Sequence, residues 1–216
     1  MSNQDNVAPA RKKRSPSLMK TRKTRESIIK AGMEVFIEHG FADAKVSEIS
    51  KKAGVAKGTV YNYFQTKESL FESVLREFIV AAPMELRSEP RKHGESVKQY
   101  LRRVLLPVIK TLESSGRAQI ARLVITESVR FPVLAKAYLQ EVHQPLIDSL
   151  KILLEAAFKE GELKNNKLAL YPHILLSPNW LGIVHNGMLD PSNPLNIGEL
   201  FEVGLDLFFD SVDDQL

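Results

Sequence analysis

Side chains that can contact nucleic acid are concentrated in one short stretch of the chain. It contains a lysine, a glycine and several hydroxyl and amide groups: Lys57, Gly58, Thr59, Tyr61, Asn62 and Tyr63. Cationic and hydroxyl groups hold phosphates, and amide groups bond to base edges in a DNA groove. The residue types therefore indicate contact with DNA, while core packing of Tyr61 or Tyr63 is the open alternative.

Two short helices are predicted to position these side chains. Val46, Ile49 and Ala53 repeat at helical spacing. Gly54 follows them, and glycine readily takes the left-handed backbone that ends a helix. A second helix is expected from about Ala56. Two short helices joined by a glycine turn form a helix-turn-helix, whose second helix can enter a DNA major groove.

The run from Ala53 to Leu70, AGVAKGTVYNYFQTKESL, resembles the signature of the TetR/AcrR transcription regulators. The resemblance implies an all-α fold, with an N-terminal three-helix helix-turn-helix domain followed by a larger helical ligand-binding and dimerisation domain. It also implies a homodimer formed through the last two helices of each subunit. Such a dimer binds a double-stranded DNA operator and is released by a small organic effector.

The resemblance also places individual residues at the DNA. Five residues lie where the family touches DNA: Lys57, Thr59, Tyr61, Asn62 and Tyr63. Gly58 leaves the backbone open beside them, and Lys67 lies where a lysine at the next helix start meets a phosphate. Lys45 and Ser47 lie near the first turn of the preceding helix, whose N-terminal amides can hold a phosphate. Ala44 and Ala56 stand where the family usually has hydroxyl residues, so side-chain caps are in doubt there.

Charge is divided unevenly along the chain. Up to Lys67 there are 14 Lys and Arg against 6 Asp and Glu, whereas the remainder has 16 against 20. The segment up to Lys67 is basic and the rest of the chain is acidic. This division suggests that a polyanion binds the N-terminal segment alone. We expect residues 1–20 to be a disordered basic arm, 21–67 to be the DNA-binding domain, and 68–216 to be the regulatory and dimerisation domain.

The rest of the sequence predicts helices only. The first is expected to begin with Thr24 as N-cap and to stop at Gly40, and the one after Lys67 to break at Pro83. Later helices are expected at 96–115, 117–130, 133–160, 168–188 and 197–212. Pro107, Pro145 and Pro178 fall within these patterns and should kink the helices, which can leave a cavity between them. For Pro145 and Pro178, marking a helix start is the alternative.

Polar side chains on mainly apolar helices are the candidates for binding a small molecule. They are Arg122, Thr126, Glu127 and Arg130 on one helix, and Asn179, Trp180 and His185 on another. A few polar groups in an apolar lining orient an organic ligand. Surface exposure or a satisfied internal pair is the alternative for each of them.

Catalytic and metal-binding patterns are lacking in the sequence. There is no cysteine, and the five histidines do not fall at metal-ligand spacing. The pair Tyr63 and Lys67 has the spacing of a dehydrogenase motif, but no glycine-rich phosphate turn precedes it. We therefore expect no enzyme activity, no metal and no cofactor. No long apolar run or signal peptide is visible, so we expect a cytoplasmic, nucleoid-associated bacterial protein without membrane contact.

Together these observations are interpreted as a ligand-responsive DNA-binding transcriptional regulator. Repression at a pseudo-palindromic operator is the expected mode. One alternative is a small-molecule-binding helical protein with a vestigial DNA-binding domain, and another is a non-specific DNA-packaging protein.

Overall fold

The chain forms helices throughout the part that the computed structural model describes, residues 18–79 and 81–209. No strand occurs within these residues, and the all-α prediction is confirmed. Most of the predicted N-terminal arm, residues 1–17, lies outside the described residues, and residues 18–20 are helical. Within the described residues, no helix has the length and hydropathy needed to cross a bilayer.

The first helix of the N-terminal domain, α1 (Leu18–Asp43), differs from the prediction at its start. Thr24 is not an N-cap, because the chain is already helical at Leu18 and the Thr24 hydroxyl donates to the Lys20 carbonyl oxygen at 2.9 Å. The predicted end is closer to the structure. Gly40 has φ +74° and ψ 172°, and this non-helical residue separates a last short turn from the rest of α1.

The helix-turn-helix is present as predicted. It consists of α2 (Val46–Lys52) and α3 (Lys57–Tyr63), joined through Gly54 at φ +68°. Neither helix has a side-chain N-cap. The next helix, α4 (Lys67–Val74), does begin with a capping box, in which Thr66 and Ser69 bond to each other's backbone amides.

An aromatic cluster holds the N-terminal domain together. Phe36, Phe41 and Phe71 are each at most 1% exposed, and their ring centroids lie 5.5–5.6 Å apart. Phe131 from the C-terminal domain adds a fourth ring, 5.3 Å from Phe41. Truncating one of the three central rings would cost about 3–5 kcal/mol of stability, as for large core side chains in general.

The C-terminal domain contains eight further α-helices within the described residues. They are α5 (Ala81–Ser88), α6 (Val97–Lys110), α7 (Arg117–Glu127), α8 (Pro132–Tyr138), α9 (Gln144–Lys159), α10 (Lys167–Leu170), α11 (His173–Val184) and α12 (Ile197–Phe209). Short π-helical turns occur at Leu75–Ile79, Leu139–His143 and His185–Leu189. Helix α12 packs against both α11 and α6.

The prolines divide between helix interiors and helix starts. Pro107 and Pro178 lie inside α6 and α11, so Pro178 does not mark a helix start. Pro145 lies in the first turn of α9, directly after the π-helical turn Leu139–His143. The backbone stays helical on both sides of this turn, so the helix predicted at 133–160 is continuous from Pro132 to Lys159 with one π-helical turn inside it. Pro83 does not end a helix as predicted, because it lies in the first turn of α5.

The apolar stripe of α12 faces mostly inward. Ile197, Phe201 and Leu205 are buried within the subunit, and α12 approaches α11 closely at Gly182. A Cβ atom on Gly182 would lie 2.7 Å from Cγ1 of Ile197, so only glycine fits at this spacing. Val203 and Leu207 of α12 remain 50% and 67% exposed, so a small part of its apolar surface is open to a partner.

Helix α7 belongs to two hydrophobic cores. Ile120 and Val124 pack in the core of the N-terminal domain, with the aromatic cluster. Ala118 and Ala121 pack in the core formed by α6, α9, α11 and α12. One helix thus connects the interior of the C-terminal domain to the N-terminal domain.

Candidate DNA-binding face and ligand cavity

The outward side of α3 presents the predicted DNA contacts. We call this set, Lys57, Gly58, Thr59, Tyr61, Asn62 and Tyr63, the recognition face. Lys57, Gly58, Tyr61 and Asn62 are exposed, whereas Thr59 and Tyr63 are half-buried. Buried Val60 and Phe64 fix the helix from its inner side. The face is therefore rigidly mounted, with its cation and its amide directed to solvent.

Lys45 and Ser47 are exposed beside the first turn of α2. No side chain caps the N-terminus of this helix, so its first amides are not occupied by the N-cap residue. Both residues remain predicted phosphate contacts.

Lys67 has an internal role that the sequence did not reveal. Its Nζ donates to the carbonyl oxygens of Phe41, Ala42 and Ala44, at 2.5, 2.9 and 3.2 Å, and lies 4.7 Å from the Phe41 ring centroid. An ammonium group has three donors, and all three are used here. The predicted phosphate contact of Lys67 would require one of these bonds to break.

We expect Lys67→Met to lower the free energy of unfolding by about 2–3 kcal/mol, because three carbonyl oxygens lose a charged donor. Urea denaturation followed by circular dichroism measures this change. The control is Lys51→Met at an exposed position on α2, where we expect a change within about 0.5 kcal/mol. Equal stability of the two variants would contradict the internal role.

Glu127, predicted to bind ligand, instead joins the two domains. Its Oε1 accepts from the Phe41 amide at 2.8 Å and its Oε2 from the Ala42 amide at 3.0 Å. A Cβ atom on Gly40 would lie 2.5 Å from Oε1, so the carboxylate also uses the space that glycine leaves. In this structure the carboxylate therefore has two backbone amides of the N-terminal domain as its partners, in place of the predicted ligand.

Arg122 and Thr126 are satisfied by other partners. The Arg122 guanidinium bonds both oxygens of Glu113 at 2.9 Å and the Ile183 carbonyl oxygen at 3.0 Å. The Thr126 hydroxyl donates to carbonyl oxygens of its own helix, that of Arg122 at 3.0 Å and that of Leu123 at 3.2 Å. With Glu127 they line a shallow cleft between α1 and α7 rather than an internal cavity.

Arg130 and His185 also lie outside the cavity. The Arg130 guanidinium is 5.2 Å from the Phe131 ring centroid on the surface. His185 Nε2 lies 3.1 Å from the Asn193 carbonyl oxygen. Of the seven predicted ligand residues, the structure brings only Asn179 and Trp180 to an internal cavity.

This cavity lies between α6, α7, α9 and α11 and the turn before α9. Its walls are mainly apolar, and its volume is about 90 Å³. An engineered apolar cavity that binds benzene is larger, at about 150 Å³. An organic occupant larger than a few atoms would therefore have to push the surrounding helices apart.

Sequence reasoning missed several polar groups of the cavity wall. Arg117, Tyr138 and His143 join Asn179 there. Arg117 Nε and Asn179 Oδ1 are buried without a hydrogen-bond partner. Burial raises the pKa of Tyr138, and burial together with the neighbouring His173 ring lowers the pKa of His143. No sequence pattern distinguishes these residues, because four separate elements bring them together.

One surface cluster has the composition of a metal site. Glu38, His39 and Glu48 place one ligand atom each within 4.8 Å of one another. His39 Nε2 lies 2.8 Å from Glu48, and Lys52 lies 3.5 Å from Glu38 and 3.2 Å from Glu34. These contacts form an exposed ion-pair group that links α1 to α2.

Comparison with known proteins agrees with this architecture. Residues 28–74 match the bacterial regulatory proteins of the tetR family, and residues 99–170 match the C-terminal domain of AefR-like transcriptional repressors. The transcriptional regulator RutR of Escherichia coli K12 is 30% identical over 166 residues, which cover 74% of this chain and 72% of RutR. The chain belongs to the TetR family.

Other TetR-family relatives match over different lengths. The fatty acid metabolism regulator protein of Bacillus subtilis is 30% identical over 141 residues, 63% of this chain and 69% of that protein. The regulator YdgC of the same organism is 38% identical over 85 residues, which span 39% of this chain and only 44% of YdgC.

Solved structures share the TetR fold. GusR of Salmonella enterica superposes with a TM-score of 0.68 at 20% identity, covering 90% of this chain and all of that one. FadR of Bacillus subtilis, in complex with stearoyl-CoA, superposes with a TM-score of 0.66 at 22% identity. The superposition covers 87% of this chain and 99% of the FadR chain. These structures confirm the predicted fold, and the family matches confirm the predicted family and the interpretation as a transcriptional regulator rather than an enzyme.

Proposed function

We propose that this TetR-family protein is a dimeric repressor. Each subunit places α3 in the major groove of one half of a pseudo-palindromic operator, and a small organic molecule in the cavity releases the dimer. The observation that carries this proposal is the exposed recognition face, mounted on buried Val60 and Phe64. Its site of action would be the bacterial nucleoid in the cytoplasm, where operators lie.

We place the end of the DNA-binding domain after α4 rather than at residue 67. Leu70, Phe71 and Val74 of α4 are buried in the same core as α1 and the helix-turn-helix. The matched tetR segment, which ends at residue 74, supports the same boundary. Residues after α4 form the regulatory and dimerisation domain.

Exposed apolar side chains on the last two α-helices support dimerisation there. Ile174 and Leu181 of α11 are 43% and 53% exposed, and Val203 and Leu207 of α12 are 50% and 67% exposed. Each pair repeats at helical spacing, and Ile174 and Leu207 line one groove. We call these four residues the dimer strip. A second copy meeting the strip would form a four-helix interface with two-fold symmetry.

The two-fold axis sets a geometric requirement. Two recognition helices read successive major grooves only when they lie about 34 Å apart, or a further helical turn apart on a longer operator. If the C-terminal domains adopt a conformation that places the two recognition helices at another distance, the dimer binds one half-site well and the other poorly. Effector binding acts by favouring that conformation, with a coupling on the order of 1–3 kcal/mol.

Helix α7 supplies the connection between effector and DNA. Arg117 and Ala121 line the cavity, and Glu127 at the other end of the helix binds the amides of Phe41 and Ala42. An occupant that enlarges the cavity displaces α7, and the displacement reaches α1 through Glu127. The stearoyl-CoA bound to FadR of Bacillus subtilis supports an organic effector for this chain as well.

Selection of bound duplexes from a random library tests the proposed function. A dimeric repressor should recover an inverted repeat and should prefer it over random duplex by roughly a thousandfold or more. Equal binding of all duplexes would instead identify a packaging protein. Failure to bind any duplex at low salt would identify a small-molecule-binding protein with a vestigial DNA-binding domain.

We expect Tyr61→Ala to lower operator affinity about tenfold or more, because an exposed recognition-face side chain leaves the groove. Lys57→Ala should have an effect of the same order and should also reduce the salt dependence of binding if Lys57 holds a phosphate. Fluorescence anisotropy with the selected operator measures both. Lys151→Ala, at an exposed position on α9, is the control, and an equal loss in that variant would contradict the assignment of the face.

A further inference from the structure

Arg117 is a cation on the cavity wall without a counter-ion. Its Nη1 donates to the Val108 carbonyl oxygen at 3.2 Å, and its Nε is buried without a partner. Glu85 and Glu89 line a cleft on its outer side, but no described carboxylate lies within ion-pair distance of it. Burial lowers the pKa of Arg117, and no charged neighbour offsets this effect.

Other half-buried arginines of the same domain are paired. Arg122 binds both oxygens of Glu113 at 2.9 Å, and Arg103 binds both oxygens of Glu95 at 2.7 and 2.9 Å. A guanidinium that is partly removed from water without an acidic partner is less stable than a paired one, and its donors match the two oxygens of a carboxylate. Arg117 is therefore suited to an anion that arrives with a ligand.

Asn179 is a second unsatisfied group on the same wall. The residue is 8% exposed, and its Oδ1 has no hydrogen-bond partner. Rotation of the amide by 180° would present the NH₂ group at the same place, so Asn179 can meet either a donor or an acceptor. A buried amide oxygen without a partner calls for an explanation, and a polar group of a ligand in the cavity would supply one.

The side chains that line the cavity carry a net charge close to +1. The lowered pKa of His143 leaves its imidazole neutral near pH 7. Arg117 is then the cation among the described side chains that line the cavity, and no carboxylate lines it. A monoanion matches this wall, whereas a phosphate ester with two charges would need a second cation.

We infer that the cavity binds an apolar monocarboxylate, with its carboxylate on Arg117, its second polar contact to Asn179, and its hydrocarbon part beside Trp180. This inference rests on the proposed function, in which the cavity is the effector site. Entry of a hydrocarbon part of about eight carbons or more would enlarge the 90 Å³ cavity.

The test uses the full-length protein and pairs of probes that differ only in charge. Octanoate and decanoate are compared with octan-1-ol and decan-1-ol, and binding is followed through the fluorescence of Trp180, the single tryptophan. The carboxylates should bind at least about tenfold more tightly than the alcohols, as expected for a charged hydrogen bond. Arg117→Gln should abolish this preference, and Arg130→Gln, an exposed arginine off the cavity, should keep it.

Two results would overturn the inference. One is equal binding, or no binding, of acid and alcohol by the unaltered protein. The other is an acid preference that survives in Arg117→Gln, provided that circular dichroism shows this variant to be folded. Operator binding without any ligand is measured in the same preparations, so a failed ligand inference is distinguishable from a failed assignment as a DNA-binding repressor.

Discussion

Leu207→Glu is expected to convert the protein to a monomer and to lower its operator affinity at least about a hundredfold. Leu207 is 67% exposed in the single subunit and lies in the proposed dimer strip. A glutamate there would have to be buried against the partner's apolar surface without a cation, which costs several kcal/mol per charge. The monomer would contact only one half-site. Sedimentation velocity measures the mass, and fluorescence anisotropy measures operator binding.

Ile152→Glu is the matched control for this change. Ile152 is 69% exposed on α9, so the same substitution introduces the same charge at an equally exposed apolar position away from α11 and α12. We expect this variant to remain dimeric with unchanged operator affinity. A dimeric Leu207→Glu protein would refute the assignment of the strip.

Glu127→Ala is expected to lower the free energy of unfolding by about 2–4 kcal/mol, because two backbone amides lose a charged acceptor. It should also reduce the effect of an effector on operator affinity to less than about fivefold, the lower end of typical allosteric coupling. The structural reason is that Glu127 is the polar link between α7 and the amides of Phe41 and Ala42. Urea denaturation measures the first effect, and operator titrations with and without the effector measure the second.

Glu127→Gln separates the two roles of this residue. Its amide oxygen can still accept one of the two amide protons, so we expect an intermediate loss of stability and a partial loss of coupling. Glu155→Ala, at an exposed position on α9, serves as the control for removal of a negative charge. Full coupling in Glu127→Ala would show that the signal reaches the DNA-binding domain through apolar packing alone.

The recognition face was predictable because its pattern is local. Val60 and Phe64 fall on one side of a seven-residue helix, so the spacing in the sequence determines which side chains point outward. Gly54 marks the turn for an equally local reason, since its backbone has φ +68°.

Roles that depend on distant partners were not predictable. Glu127 is separated by 86 and 85 residues from the two amides that it binds, and Lys67 by up to 26 residues from its carbonyl partners. The sequence shows that Glu127 and Lys67 are charged, but it does not show which backbone groups they bond to. A glutamate or a lysine can lie on the surface, contact a ligand or bond to backbone groups inside the protein, and its residue type fits all three roles.

Helix continuity also depended on information beyond the local pattern. Thr24 has the composition of an N-cap, but the helix is already formed before it, and its hydroxyl bonds within the helix. The interval predicted as one helix at 133–160 carries continuous apolar spacing, yet a π-helical turn precedes Pro145. The spacing of apolar residues shows which side chains face the core. It does not show whether one helical turn contains an extra residue, as a π-helical turn does.

The attachment of Glu127 to main-chain amides, rather than to side chains, determines which substitutions it tolerates. Every residue except proline offers such an amide, so the attachment does not depend on the side chain at position 42, whereas position 41 is fixed separately by the aromatic cluster. The attachment does require glycine at position 40, because its backbone has φ +74° and a Cβ atom there would collide with the Glu127 carboxylate. A substitution on the exposed side of α3 would therefore leave this attachment, and the proposed route from effector to DNA, in place.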